Sequence, residues 1–240
     1  MLRNQYSVGL GRERANDIYT GAMSRMYGLV ALGIITTGAA MWVGDRIGLG
    51  AVILNIGWLG YLLGFGLIFA TLMAANGLAV KGHSGPATGV YLLFTAMEGF
   101  FLSWILSAFT NERIGVAFLL TAALFVGMSA VGMTIKRDLS RLGPMLIFGL
   151  LGLIGVSLVN LLLLQSSMLF LLINLLLLPL FLALTVWQTR QMKALALEAA
   201  EQGNYQAATQ VAVIGSIGLY VNFLNIFMII LNLMGFASDD

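Results

Sequence analysis

Seven runs of apolar residues, separated by short connections that hold nearly all the charge, constrain this chain more than any other feature. A helix rises about 1.5 Å per residue, so about twenty apolar residues cross a hydrocarbon core about 30 Å thick. The runs lie at about 24–43, 49–78, 87–109, 114–135, 144–164, 168–187 and 207–234. Only helices and closed barrels satisfy their backbone in lipid, and a barrel would need strands of roughly ten alternating residues, which the sequence lacks. With 60% hydrophobic and 9% charged residues, against about 25% charged in a soluble domain, the expected fold is an all-α integral membrane protein, a seven-transmembrane helix bundle.

The charges set a direction. Arg3, Arg12, Arg14, Arg25, Lys81, Lys136, Arg137, Arg141, Arg190 and Lys193 fall on one side of the spans, and only Arg46 and Arg113 on the other. The positive-inside rule then places the N-terminus in the cytoplasm and the terminal FASDD outside. Residues 1–23 read as a polar cytoplasmic tail and 24–240 as the membrane domain. The first 25 residues hold no apolar core with a cleavage site, so the first span is expected to do the targeting. The formal net charge is only +2 and lies in the connections, KRD at 136–138 included. It serves topology, and the expected partner is the lipid bilayer, with no nucleic acid.

Pro86 and Pro144 stand where helices would begin, a position that proline suits because its missing N–H would be unpaired there anyway. Pro179 interrupts NLLLLPLFLAL in span 6, where it frees a carbonyl four residues earlier. Gly60 and Gly64 in span 2, and Gly149, Gly152 and Gly155 in span 5, predict close helix packing. RQMKALALEAAEQGN continues span 6 as helix beyond the membrane, with Gly203 and Asn204 as the stop.

Polar side chains in a membrane need a partner or a purpose. The one carboxylate well inside a span is Glu98, which burial favours as the neutral acid unless a cation or several donors compensate; it reads as an ion or proton site, or as an acid hydrogen-bonded between helices. Asn55, Asn160, Asn174, Gln188, Asn222, Asn225 and Asn232 read as interhelical hydrogen-bonders or pathway residues. Asn222, Asn225 and Asn232 share one face of span 7, which predicts a central helix with that face turned inward. There is no cysteine and one histidine, which removes disulfides and a zinc site built on those residues. GHSG at 82–85 superficially matches an intramembrane serine nucleophile, but His83 is adjacent to Ser84 in a connection and no second histidine can serve as base. No enzyme activity and no cofactor are expected.

Several segments together resemble the Bax inhibitor-1 family, also called the transmembrane Bax inhibitor motif family, and its bacterial members in particular. They are MSRMYGLVALGIITTGAAMWV, YLLFTAMEGFFLSWILSAFT, TIKRDLSRLGPMLIFGLLGLIGVSLVN, ALTVWQTRQMKAL and LYVNFLNIF. The resemblance covers nearly the whole chain from residue 20 onward. It implies a pair of aspartates, in YDTQ at the end of span 6 and LYLDFIN in span 7, that shares a proton and senses pH to gate a calcium leak. Here WQTR puts Gln188 at the first position and LYVNFLN puts Asn222 at the second. Amides mimic protonated acids in shape but cannot lose a proton near neutral pH, so the expectation is a pH-independent latch between spans 6 and 7. Glu98 stands where related bacterial sequences often have a neutral residue, and Arg190 stands where the motif usually has glutamine.

The resemblance thus implies a bacterial inner-membrane cation leak or transporter, carrying calcium or protons, with Gln188, Asn222, Asn225 and Glu98 as pathway or latch residues. Glu98 and Asn222 are the candidates for touching a metal ion, although hard cations favour carboxylates. The alternative is a non-conducting regulator that binds other membrane proteins, such as a membrane-bound ATP-dependent protease, with residues 1–23 as its handle.

Overall fold

The computed structural model describes residues 2–48, 58–106 and 108–236, with side chains from residue 11 onward except those of Trp58 and Tyr61. The described residues form seven long helices: α1 (Leu2–Arg46), α2 (Trp58–Val80), α3 (Ser84–Leu106), α4 (Asn111–Thr134), α5 (Leu142–Val159), α6 (Ser167–Glu201) and α7 (Tyr205–Phe236). A π-helical turn, Asn160–Leu164, continues α5. Each helix contains a stretch long and apolar enough to cross a membrane. This is the seven-span, all-helical pattern expected from the apolar runs. The beginning of span 2, with Asn55, and the terminal SDD lie outside the described residues.

The boundaries follow local chemistry. Pro86 and Pro144 are each the third residue of their helix, inside the first turn. Thr110 caps α4, its side chain accepting the Arg113 N–H, which pairs one of the donors a helix start leaves free. Two helices end with the same device. After α2, Gly82 takes φ +82° and the N–H groups of Gly82 and His83 reach back to Ala79 and Leu78. After α6, Gly203 takes φ +65° and Gly203 and Asn204 reach back to Ala200 and Ala199. Glycine adopts this left-handed conformation without the steric cost other residues meet, and the paired bonds satisfy the last carbonyls. Asn204 then starts α7, its side chain accepting the Ala207 N–H at 3.0 Å. The extension of span 6 and its stop are as expected from sequence, and α6 stays helical through Pro179.

The polar N-terminal segment is helical, α1 being one helix from Leu2 to Arg46. One expectation is corrected. The glycines of span 5 do not all mark packing: a side chain at Gly149 would touch Leu180, but Gly152 and Gly155 face open space. Only 6% of the apolar window of α5 is buried, against 67% for α7. A glycine permits close approach and does not supply the neighbour.

The chain divides into two compact units. The first comprises Met1–Ala108 and Met192–Tyr220, the second Phe109–Gln191 and Val221–Asp240. The first is built around the fully buried Met26, Tyr91, Phe94 and Tyr220, with both Tyr91 and Phe94 set edge-on to Tyr220 at ring separations of 5.7 Å. In the second, Phe223 of α7 meets Phe118 and Phe125 of α4, also edge-on. Edge-to-face pairs bring the positive ring edge onto the negative face, an attraction of about 0.5–1.5 kcal/mol beyond area burial.

Candidate functional site

In the second unit, the Asn222 side chain donates from Nδ2 to Gln188 Oε1 at 2.9 Å. The bond joins α7 to α6, and Asn222 is buried at 6% exposure. The turn of α6 that carries Gln188 is held from two sides. A Cβ on Gly132 would stand 2.7 Å from both the Val186 carbonyl oxygen and Thr189 Cβ, so α4 reaches the α6 backbone only because that residue has no side chain. At the start of α5, Gly143 lies directly against the Trp187 indole. Val186, Trp187 and Thr189, the neighbours of Gln188 on α6, are thereby packed against α4 and α5.

Two buried hydroxyls accompany this pair. Ser129 Oγ and Thr189 Oγ1 have no hydrogen-bond partner among the described residues, at exposures of 6% and 0%. Ser129 lies on the buried stripe of α4 that also contains Phe125 and Gly132, one turn from each. A polar atom buried without a partner costs free energy, so this wall of the unit trades stability for polarity.

The first unit holds Glu98, half-buried on α3. The next residue, Gly99, packs directly on the Thr37 carbonyl of α1. Thr37 is a polar hub: its Oγ1 lies 2.9 Å from the Gly33 carbonyl, 3.0 Å from the Thr95 carbonyl and 2.6 Å from the Tyr220 hydroxyl. A threonine hydroxyl has one proton, which serves the carbonyls, so Tyr220 is the donor to Thr37. Tyr91 donates to the Leu29 carbonyl at 3.1 Å. This network ties α1, α3 and the first half of α7. The sequence marks this network only by hydroxyl groups in the middle of apolar runs, a weaker signal than the amides and the carboxylate that were expected to matter.

Three other amides, Asn225, Asn174 and Asn160, behave differently from the expectation of interhelical bonds. Asn225 donates to Val221 and Asn174 to Phe170, each four residues back on its own helix. Asn160 clamps the connection between α5 and α6: Nδ2 donates to the Ser166 carbonyl and Oδ1 accepts the Ser166 N–H. It holds a turn in which Gln165 takes φ +47°. The structure therefore brings Gln188 and Asn222 together, turns the Asn225 donor onto its own backbone, and places Glu98 in the first unit. Among the described residues, no group of three or more His, Cys, Asp or Glu side chains converges as a metal site.

Near the α4–α5 connection, Asp138 accepts the Ser140 N–H at 2.9 Å and the Ser140 hydroxyl at 3.0 Å. These bonds, foremost that of the backbone, hold its carboxyl below the usual carboxylate range, with Arg141 and Arg190 adding to the effect.

The profile of the family described as "Inhibitor of apoptosis-promoting Bax1" matches residues 20–239. The chain belongs to the Bax inhibitor-1 family. A relative from Borreliella burgdorferi is 35% identical over 179 residues, covering 75% of this chain and 74% of its own. "Inner membrane protein YbhL" of Escherichia coli is 29% identical, covering 89% and 90%. A protein of Deinococcus radiodurans is 29% identical, covering 97% and 98%. As a Bax inhibitor-1 family member with seven apolar helices, the chain is a multi-pass membrane protein.

Proposed function

We propose that this Bax inhibitor-1 family member is a cation leak of the bacterial inner membrane, passing calcium, whose gate is held by a neutral amide pair in place of a titrating acid pair. The observation that carries the reading is the buried hydrogen bond from Asn222 to Gln188. Those are the two positions at which the family resemblance implies aspartates. Two close carboxylates share a proton and separate when it leaves; two amides have no proton to lose near neutral pH. The latch therefore holds at any physiological pH, and opening must come from elsewhere. Glu98 is the titratable group left in mid-span. In this reading the N-terminus is cytoplasmic, as the distribution of Lys and Arg favours, and the strongly buried α7 is the central helix around which ions move.

A second reading, a non-conducting regulator of other membrane proteins, is favoured by α1. Its 45 residues extend about 68 Å at 1.5 Å per residue, well beyond the roughly 30 Å needed for the hydrocarbon core. Gly11–Arg14, at the polar end, are exposed, which leaves a helical handle for a partner such as a membrane-bound protease.

Calcium flux into liposomes separates the two readings, using the parent, the double variant Gln188→Asp/Asn222→Asp, and Glu98→Gln, at pH 6 and pH 8. A leak gives parent flux that is equal at both pH values and becomes pH-dependent in the double variant. If Glu98 gates instead, the parent flux varies with pH and Glu98→Gln removes the variation. A folded parent with no flux above empty liposomes moves the assignment to the regulator.

A further inference from the structure

Arg141 and Arg190 both act on Asp138 at the α4–α5 connection of the second unit, and Lys136 and Arg137 precede Asp138 in the same connection. Lys136, Arg137 and Arg141 are exposed along the turn. Arg190, half-buried on α6, is close enough to act on the charge of Asp138 in that turn. Asp138 is the one acid in the group, and both its oxygens are used by Ser140. The net charge of the five is +3. None of the four cations forms an ion pair with a described residue. Setting topology needs only a count of charges; it does not need two elements to converge on one uncompensated patch.

The surroundings specify the anion. α5 starts at this turn and is buried over only 6% of its apolar window, so the patch stands at the head of a helix clad in lipid. Leu142 and Met145, the first large side chains of α5, are 45% and 71% exposed. The Trp187 indole lies against Gly143 at the same level, and tryptophan favours the boundary between hydrocarbon and headgroups. The start of α5 has no side-chain cap, so the positive end of the helix dipole faces the patch, although the Leu142 N–H is bonded to the Leu139 carbonyl and Pro144 has no N–H. A soluble anion would use only the charges, whereas a phospholipid also lays its acyl chains along the exposed side chains of α5.

We propose that Lys136, Arg137, Arg141 and Arg190, with Trp187 and the start of α5, form a binding site for the phosphate headgroup of an anionic phospholipid. The site takes phosphatidylglycerol in preference to zwitterionic phosphatidylcholine. It is separate in its chemistry from the amide pair and stands whether or not the protein conducts.

Native mass spectrometry of the full chain, released from micelles containing equal amounts of phosphatidylglycerol and phosphatidylcholine, tests the site. The parent is expected to retain phosphatidylglycerol preferentially. Lys136→Gln and Arg141→Gln each weaken that retention about fivefold, the effect of one basic side chain near an anionic headgroup. Lys81→Gln, a loop cation outside the cluster, leaves it unchanged, and so does Arg141→Lys, which keeps the charge. Excess inorganic phosphate does not displace the lipid. Equal retention of the two lipids by the parent overturns the proposal, as does full retention by folded glutamine variants. Displacement by free phosphate makes it a soluble-anion site and likewise refutes the lipid assignment. Should the glutamine variants fail to fold, the parent's lipid preference and the phosphate competition still decide.

Discussion

Asn222 donates its side-chain N–H to Gln188 across 2.9 Å, joining α7 to α6 with groups that carry no charge. Removing one partner strands the other in a buried place, at a cost of about 1–3 kcal/mol. Removing both leaves nothing unpaired. Asn222→Leu and Gln188→Leu are each expected to lower the unfolding midpoint in detergent, while the double variant loses less than the two combined. The coupling should be about 1 kcal/mol, within the range for interhelical hydrogen bonds in membranes. Strict additivity across the four proteins would show that the bond contributes nothing.

Gly132 and Gly152 predict opposite outcomes for the same substitution. At Gly132 an added Cβ meets the Val186 carbonyl and Thr189 Cβ at 2.7 Å, and a backbone atom cannot swing aside. Gly132→Ala is expected to destabilise by about 1–3 kcal/mol, the range for an overpacked interface, and to displace the turn that carries Gln188. At Gly152 the same methyl group enters open space and raises helix propensity, a gain of up to about 1 kcal/mol. Thermal unfolding of both variants checks the pair; equal losses would mean that the packing around Gly132 is not what sets its identity.

The helices were legible in the sequence because their cause is local: an apolar run of sufficient length has few alternatives in lipid. The stop at Gly203 was legible for the same reason. The partners of side-chain amides were not. An asparagine in a helix can always turn to the carbonyl four residues back, as Asn174 and Asn225 do, and only the neighbouring helix decides whether it reaches across instead. Pairing of Gln188 with Asn222 could be anticipated only through the family resemblance, since periodicity says nothing about contacts 34 residues apart. The hub at Thr37 and Tyr220 spans 183 residues and has no local signature.

Two buried threonines extend this contrast between satisfied and stranded polar groups. Thr37 accepts from Tyr220 and lies within bonding distance of two carbonyls. Thr37→Val leaves the Tyr220 hydroxyl without its acceptor and should cost about 1–3 kcal/mol. Thr189 is fully buried and its hydroxyl has no partner among the described residues. Thr189→Val replaces a desolvated hydroxyl by a methyl group and should raise stability by about 1 kcal/mol. Unfolding midpoints that fall together in both variants would contradict the assignment of an unpartnered hydroxyl at Thr189.

The connection between α4 and α5 depends on pH through one carboxylate. The Ser140 N–H and hydroxyl, with Arg141 and Arg190 beside them, stabilise ionised Asp138 and lower its pKa from the usual 3.8. A carboxylate whose pKa is lower in the folded state stabilises that state above its unfolded pKa, and the contribution disappears as pH falls through the folded value. Stabilisation of the turn is thus complete at neutral pH and is lost only below about 3.8. The Ser140 amide resonance should follow this titration by NMR, with a midpoint under 3.8. Asp138→Asn retains an oxygen for the Ser140 N–H and abolishes the pH response. A midpoint at or above 3.8, or a response that persists in Asp138→Asn, would show that the Ser140 bonds do not hold the carboxylate in its charged form.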